Sequence, residues 1–417
     1  MKITLTTSLA ILLALVPLSR PTIGLAEVRE FIFEGRYTMG EGESPAVAES
    51  RALQQARQSA LAEVRGHVER CAAGKDLRLN AEELAVLASA VMQVDVLDRK
   101  RTDDATGADV WVKIRTRVLS DKIADMARRV REKSVIADFR KMREAYDKSR
   151  QEIESLKQQL ANAAGGKGRE AVEQRIATDE RFFQAYAWFD AGCHHGLNQE
   201  FSQAISAFTA AVALLPDFAE AYANRGYAHY YQGHYEQAVA DYQRVIALRP
   251  EDASAFMNRG VAYGKKGEPG RAIDDFTRAV ALNPKLAKAY NDRGGVHADQ
   301  GRTEQAVADY QRAIAIDPNF AEALYNRGYA YVRLGKYEQA IADFSKVIAI
   351  NPRDEAAYYH RGYAYYADGQ YDQAITDYNK VISLSPRDAS AFLNRGIAWG
   401  KKGQHDLAIE DCTRAIA

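Results

Sequence analysis

Hydrophobic residues in the carboxyl-terminal half of the chain recur three and four positions apart, which is the spacing of one face of an α-helix. They form paired short segments, and Ala219–Gly233 followed by Tyr235–Leu248 is one such pair. The pair returns every 34 residues, and each unit carries a marker glycine: Gly192, Gly226, Gly260, Gly294, Gly328, Gly362 and Gly396. A fixed period of this length indicates a solenoid of stacked helix–turn–helix repeats.

Counting the marker glycine as position 8, the repeats begin at residues 185, 219, 253, 287, 321, 355 and 389, and the seventh is truncated at Ala417. Repeat 1 shows the pattern of the unit as Trp188, Gly192, Ala204, Phe208 and Pro216, at positions 4, 8, 20, 24 and 32. This pattern resembles the tetratricopeptide repeat (TPR). The resemblance implies a mainly α chain whose right-handed α-solenoid serves as a binding scaffold.

Glycine has two predicted uses in each repeat. The small residues at positions 8 and 20 let the two helices approach closely, which offsets the cost of about 1 kcal/mol for a helical glycine. A second glycine lies where the first helix ends, and we expect it to form a left-handed helix cap. These capping glycines are Gly233, Gly267, Gly301, Gly335, Gly369 and Gly403.

Opposite charges also recur in register. Position 7, beside the marker glycine, is Arg225, Arg259, Arg293, Arg327, Arg361 and Arg395, and position 23 is Asp241, Asp275, Asp309, Asp343, Asp377 and Asp411. A partly buried arginine needs a partner, so we predict an ion pair between positions 7 and 23 within each repeat. The alternative is a surface pair of the aspartate with the basic residue at position 26, such as Arg244 or Lys346.

Residues 27–133 predict a small α/β domain. A first strand contains Phe31 and Tyr37, and the loop Gly40–Ser44 leads into a long helix that begins at Pro45. A helix over Ala81–Ala90 follows the N-cap Asn80, and two strands, Val91–Leu97 and Val110–Val118, form a hairpin. This order resembles small bacterial envelope domains of the LPP20 and flagellar FlgT amino-terminal type, which implies an accessory role in the cell envelope.

Two further segments complete the domain organisation. Residues 1–26 have the charge, apolar core and small-residue cleavage site of a signal peptide, which predicts export to a bacterial periplasm. Residues 134–168 carry a heptad pattern from Val135 to Leu160 and a Gly-rich turn. The heptads fit either a dimerising coiled coil or a helical hairpin with the segment after residue 169, and the solenoid spans residues 169–417.

The TPR resemblance implies that positions 2, 5, 6, 9, 12 and 13 of the first helices line a concave groove. Tyrosine and asparagine are favoured contact residues because they offer area and hydrogen bonds at low entropic cost. The predicted partner-binding residues are Asn224, Tyr227, Tyr230, Tyr231, Asn258, Tyr325, Asn326, Tyr329, Tyr359, His360, Tyr363 and Tyr366.

These features predict a non-enzymatic periplasmic scaffold that binds a protein or peptide in the groove. The alternative is an envelope assembly factor whose amino-terminal domain binds the partner while the repeats act as a spacer. Basic and acidic residues balance at 56 each, which argues against a nucleic-acid partner. No nucleophile–base set or cofactor motif stands out, and the strongest metal-like cluster is Cys193-His194-His195. Self-association through the coiled coil or through an apolar edge of the seventh repeat is a further expectation. The alternative for the truncated seventh repeat is a chain that is incomplete at its carboxyl end.

Overall fold

The computed structural model describes residues 28–74, 77–104, 107–119, 122–130, 133–163 and 165–416. The predicted signal peptide lies outside these residues. The chain forms two compact units, one that ends at Gln232 and one that begins at Gly233. Among the helices of the described residues, none has the length and hydrophobicity that a membrane span requires.

The first unit begins with an α/β layer. Its elements are β1 (Val28–Met39), α1 (Pro45–Gly74), α2 (Ala81–Val91), β2 (Met92–Asp104), β3 (Gly107–Leu119) and α3 (Ile123–Val130). The strands form an antiparallel sheet in the order β1-β3-β2. Val112 and Ile114 are buried on the sheet face that the alternation predicted, in the core that this sheet shares with α1 and α2.

Two details of this layer explain where the sequence prediction succeeded and where it stopped short. Asn80 caps α2 as expected, and Glu83 completes a capping box, since its carboxylate accepts from the backbone N–H of Asn80 at 2.8 Å. Strand β2 continues to Asp104, well past the predicted end at Leu97. The prediction ended there because a bulge between Val96 and Asp98 shifts the register of the strand. A bulge breaks the alternation of apolar and polar residues that defines a strand in a sequence.

A helical hairpin follows, made of α4 (Lys133–Asn162) and α5 (Lys167–Leu197). The heptad residues Ile153, Leu156 and Leu160 are buried against Ile176 of α5. Nearer the start of α4, Tyr146 packs on Phe183 with ring centroids 5.3 Å apart. These heptad residues are therefore covered by α5, as in the hairpin alternative.

A buried polar network joins the α/β layer to this hairpin. Arg51 of α1 donates to Asp179 of α5 at 2.5 Å, and Ser149 of α4 donates to the same carboxylate at 3.0 Å. Glu43, in the loop before α1, accepts from the Tyr37 hydroxyl at 2.6 Å and lies 3.2 Å from the Lys157 ammonium. These hydrogen bonds and ion pairs join residues that are far apart in the sequence, so the α/β layer and the helical hairpin pack together.

The remaining helices pair into repeats. The first unit contains α6 (Phe201–Leu214) and α7 (Ala219–Tyr231). The second unit contains α8 (Tyr235–Leu248), α9 (Ala253–Lys266), α10 (Pro269–Leu282), α11 (Ala287–Asp299), α12 (Thr303–Ile316), α13 (Ala321–Arg333), α14 (Tyr337–Ile350), α15 (Glu355–Ala367), α16 (Tyr371–Leu384), α17 (Ala389–Lys401) and α18 (His405–Ile416). Within that unit α10, α12, α14 and α16 each pack on the first helix of their own repeat and on the first helix of the next repeat, which is a solenoid of helix–turn–helix repeats.

Both predicted uses of glycine are confirmed. A Cβ on Gly294 would lie 2.7 Å from the Tyr310 ring, and one on Gly260 would lie 3.0 Å from the Phe276 ring, so position 8 lets the position-24 aromatic reach the helix backbone. The capping glycines all have positive φ, between 69° and 84°. Repeat 1 has Gln199 at the capping position, with φ of 62°.

Replacing Gln199 with glycine is expected to stabilise the first unit. The left-handed backbone conformation costs a residue with a Cβ about 1–2 kcal/mol, and glycine avoids this cost. Glycine also has more conformational freedom in the unfolded state, which offsets part of the benefit, so the net gain in the free energy of unfolding is up to about 1 kcal/mol. Urea unfolding measures it. Gln203→Gly, on the exposed face of α6, is the control and should lower stability, and a lower midpoint for Gln199→Gly would contradict the strain argument.

The predicted ion pairs are confirmed in repeats 3 to 7, in each of which the guanidinium binds the carboxylate with two hydrogen bonds of 2.5–2.8 Å. The arginine side chains are 15–18 % exposed and the aspartates 4–9 %. Three of these arginines also donate to position 25 of the preceding repeat, as Arg361 does to Ser345 at 2.9 Å. The pair of Arg225 with Asp241 in repeat 2 stays a prediction.

Asp343→Ala is expected to lower the free energy of unfolding by about 3 kcal/mol, because it leaves the buried Arg327 guanidinium without its carboxylate. Arg271→Ala removes an exposed pair with Glu268 and should cost less than about 0.5 kcal/mol. The double variant Arg327→Leu, Asp343→Ala should regain much of the loss. Chemical denaturation of the four proteins measures these differences, and equal losses for the two single variants would contradict a buried role.

Candidate functional site

Positions 2, 5, 6, 9, 12 and 13 of each first helix share one face, because residues three and four apart lie above one another on a helix. We call this face the first-helix surface. In the second unit it belongs to α9, α11, α13, α15 and α17, which are successive members of one stack. Residues at the same position of consecutive repeats therefore recur at each step along it.

Position 9 carries a row of exposed hydrophobic side chains. Tyr329, Tyr363 and Ile397 are 46 %, 43 % and 41 % exposed in three consecutive repeats, and Leu393 at position 5 adds to the row in the last one. By contrast, Tyr310 and Tyr378 at position 24 are fully buried core residues. Leu393 and Ile397 were absent from the sequence prediction because it selected tyrosine and asparagine. The 34-residue period at position 9 would have found Ile397.

Positions 5 and 6 have a role that the sequence prediction missed, since they link neighbouring repeats. The Asn326 amide donates to Asn291 Oδ1 at 3.1 Å, and the Asn394 amide donates to the Tyr359 hydroxyl at 2.7 Å. In the same way His360 meets Tyr325, with ring centroids 5.6 Å apart. In all three cases a position-6 residue meets position 5 of the preceding repeat, so these predicted contact residues also hold the surface together.

His360 lies among aromatic rings. Its ring is 5.5 Å from that of Tyr329, 5.4 Å from that of Tyr359 and 5.9 Å from that of Phe344, between centroids. Burial lowers the pKa of His360, so the imidazole is neutral at neutral pH. This part of the surface is thus uncharged and aromatic.

A pocket of about 320 Å³ opens beside the row, between α11, α12 and α13. Three of the predicted residues, Tyr325, Asn326 and Tyr329, line it together with Gly295 and Tyr310. Position 9 is tyrosine in repeats 5 and 6 but glycine in repeat 4, so the missing side chain leaves this space. Sequence reasoning missed Gly295 because it looked for contact groups rather than for the absence of one.

The predicted residues of the first unit form an aromatic cluster of their own. Tyr231 stacks on Phe201 with centroids 5.3 Å apart and lies 4.6 Å from the Tyr227 ring. Tyr230 meets Tyr231 edge-on, and the Asn224 amide donates to the Glu220 carbonyl of its own helix. In the second unit, Asn258 is half-buried and the Tyr366 ring lies 5.7 Å from that of Tyr371.

In the Cys193-His194-His195 cluster the two histidine rings lie 6.1 Å apart between centroids. His195 is held by Glu200, with Nδ1 2.6 Å from the carboxylate, and burial lowers the pKa of His194. Within the described ranges, no three histidine, cysteine, aspartate or glutamate side chains converge as metal ligands.

Asp292, at position 6 of repeat 4, is a largely buried carboxyl group in the first-helix surface. Its side chain is 15 % exposed, and its Oδ2 atom is 3.6 Å from the Lys288 ammonium without a hydrogen bond among the described residues. Burial is the main cause that raises the pKa of this carboxyl above its ordinary value of 3.8. The ionised form therefore opposes folding.

Asp292→Asn is expected to stabilise the protein at neutral pH. Because the folded pKa is raised, the wild type loses stability as pH rises from the ordinary carboxyl pKa through the raised one, and asparagine does not. The gain should thus grow between pH 4 and pH 7 in thermal unfolding. Asp274→Asn, at an exposed site of α10, is the control, and a gain that stays constant with pH would contradict the titration of Asp292.

Comparisons with known proteins agree with the repeat pattern. The family model described as "TPR repeat" matches residues 226–267, 294–335, 328–369 and 362–403, and the one described as "Tetratricopeptide repeat" matches residues 253–286. These stretches are tetratricopeptide repeats. Among curated proteins, no sequence matches the chain.

Several solved structures align with part of the chain. The crystal structure of MamA is 28 % identical over 38 % of this chain and 92 % of its own, with a TM-score of 0.37. The pilF protein of Pseudomonas aeruginosa is 22 % identical over 46 % of this chain and 88 % of its own, with a TM-score of 0.41. YrrB, described as a TPR protein with an unusual peptide-binding site, is 24 % identical over 45 % of this chain and 96 % of its own, with a TM-score of 0.40.

Proposed function

We propose that this chain, whose repeats are tetratricopeptide repeats, is a non-enzymatic scaffold that binds a protein or peptide on the first-helix surface of its second unit. The observation that carries the proposal is the row of Tyr329, Tyr363 and Ile397, each more than 40 % exposed at the same position of consecutive repeats. Single exposed hydrophobic residues are ordinary, but a contiguous patch marks an interaction site.

The surroundings of this row suit a peptide rather than a charged ligand. His360 is neutral, and asparagine occupies position 6 in the flanking repeats 5 and 7. Tyrosine side chains are common binding hot spots, since each offers a large rigid ring together with one hydrogen-bonding group. The His360 ring meets both Tyr325 and Tyr329, and this restricts the two tyrosine rings before binding, which lowers the entropic cost of association.

Location and self-association are further parts of the proposal. The charge, apolar core and cleavage pattern of residues 1–26 support export to the periplasm. Helix α18 exposes Leu407, Ile409 and Ile416, which supports association of this edge with another copy. The amino-terminal domain, which resembles LPP20 and FlgT-type domains in sequence pattern, is the alternative site, and Ile32 and Leu97 are exposed on its sheet.

Capture from an extract of the cells that make this protein tests which surface binds. We expect the full-length variant Tyr329→Ser, Tyr363→Ser, Ile397→Ser to retain at most a tenth of each specific partner, because even one hot-spot residue contributes about 2 kcal/mol. Quantitative mass spectrometry measures the recovery. The matched control is Ile316→Ser, Ile350→Ser, which removes exposed isoleucines from second helices.

A third variant, Ile32→Ser, Leu97→Ser, tests the alternative. If the partners are lost with this variant and kept by the triple variant, the amino-terminal domain is the binding site and the proposal for the repeats fails.

A further inference from the structure

Gly295 differs from the marker glycine beside it in what surrounds it. The neighbouring Gly294 is required by packing, since a Cβ there would strike the Tyr310 ring at 2.7 Å. A Cβ at Gly295 would meet nothing within 4 Å, and the residue has an ordinary negative φ. Neither close packing nor backbone conformation therefore explains a glycine that costs its helix about 1 kcal/mol.

The effect of Gly295 is to keep the pocket open. Tyr329 and Tyr363 fill position 9 in the next two repeats, and a similar side chain at 295 would occupy the space between α11 and α13. The pocket of about 320 Å³ is lined by small residues, Ala298 and Ala330, and by the larger Tyr325 and Tyr329. Its size is in the range of sites that hold small organic groups.

The chemistry of the lining is aromatic with polar atoms at set places. Tyr310 lines the pocket although its side chain is almost entirely buried, and burial raises its pKa, so its hydroxyl remains protonated. Asn326 also lines it, and its amide nitrogen is directed to Asn291, which leaves the carbonyl oxygen as its acceptor group. The ionised residues of the lining are Asp299 and Arg333, both exposed, and Arg333 donates to the Ala298 carbonyl at 3.1 Å.

We propose that this pocket, on the premise that the first-helix surface binds a peptide, receives one aromatic side chain of that peptide with a polar edge, an indole or a phenol. Tyr325 and Tyr329 offer ring contacts, which favour an aromatic occupant over an aliphatic one. A charged side chain would lose its hydration among these rings without an opposite buried charge. A small aliphatic side chain would leave most of the space empty. From the pocket, the bound peptide continues along the row of Tyr329, Tyr363 and Ile397.

The test is a selection with a displayed library of random dodecapeptides on the full-length protein. The affinities of the selected peptides are then measured for the wild type, Gly295→Leu and Gly270→Leu. Leucine at 295 fills the pocket without a clash of its Cβ, and Gly270, at the exposed start of α10, is the control because it too has nothing within 4 Å of a Cβ. Urea unfolding confirms that each variant is folded, and both should equal or exceed the wild type in stability.

We expect the selected peptides to share one tryptophan or tyrosine at a fixed place and to bind Gly295→Leu at least tenfold more weakly, with Gly270→Leu unchanged. Replacing that aromatic residue of the peptide with alanine should weaken binding to the wild-type protein by the same factor. The alanine peptide should bind Gly295→Leu no more weakly than the original peptide does. Selected peptides without a shared aromatic residue, equal binding to Gly295→Leu, or no enrichment at all would each overturn the pocket. If peptides lose binding with Tyr363→Ser, Ile397→Ser but not with Gly295→Leu, the binding surface stands and only the pocket fails.

Discussion

The contact between the position-8 glycine and the position-24 aromatic ring is the constraint on which the repeats depend. A helical pair of this length cannot bury its apolar face alone, so its two helices must approach closely and then stack on neighbours. Gly294 under the Tyr310 ring and Gly260 under the Phe276 ring give that close approach. Position 7 is next to the position-8 glycine and is therefore partly buried as well. An arginine at position 7 needs the aspartate at position 23, because the ion pair offsets the cost of removing the guanidinium from water.

The same geometry decides which residues are free for binding. Residues at positions 8, 20 and 24 are used between the two helices of one repeat, and positions 5 and 6 are used between neighbouring repeats. Position 9 is less involved in these contacts, although Tyr329 also meets the His360 ring of the next repeat. The exposed parts of Tyr329, Tyr363 and Ile397 are available for a partner.

The first unit also has a close-packed glycine, since a Cβ on Gly35 would clash with the Ala52 carbonyl oxygen, and it adds a buried network of charged groups. Helices α1, α4 and α5 meet at a buried site formed by Arg51, Ser149 and Asp179. Glu43 joins the loop before α1 to Lys157 of α4 by an ion pair. Such a network is costly unless its members are paired. Its hydrogen bonds join the sheet layer to the hairpin, and the loss of one charged member would leave another charge buried without its partner.

The sequence by itself determined the solenoid, its repeat boundaries, its glycine caps and the pairing of position 7 with position 23. All of these features recur every 34 residues, and the paired residues lie 16 positions apart within one repeat. Aligning the repeats of one sequence is therefore enough to reveal them. The tertiary structure alone decided that Asp292 on the first-helix surface is largely buried, that Asn326 reaches Asn291, and that the heptad residues Ile153, Leu156 and Leu160 of α4 pack on α5. Burial depends on what a neighbouring element places against a side chain, and composition carries no record of it. Gly295 shows this most clearly, because a glycine in the sequence predicts nothing about the space that its missing side chain leaves between two helices.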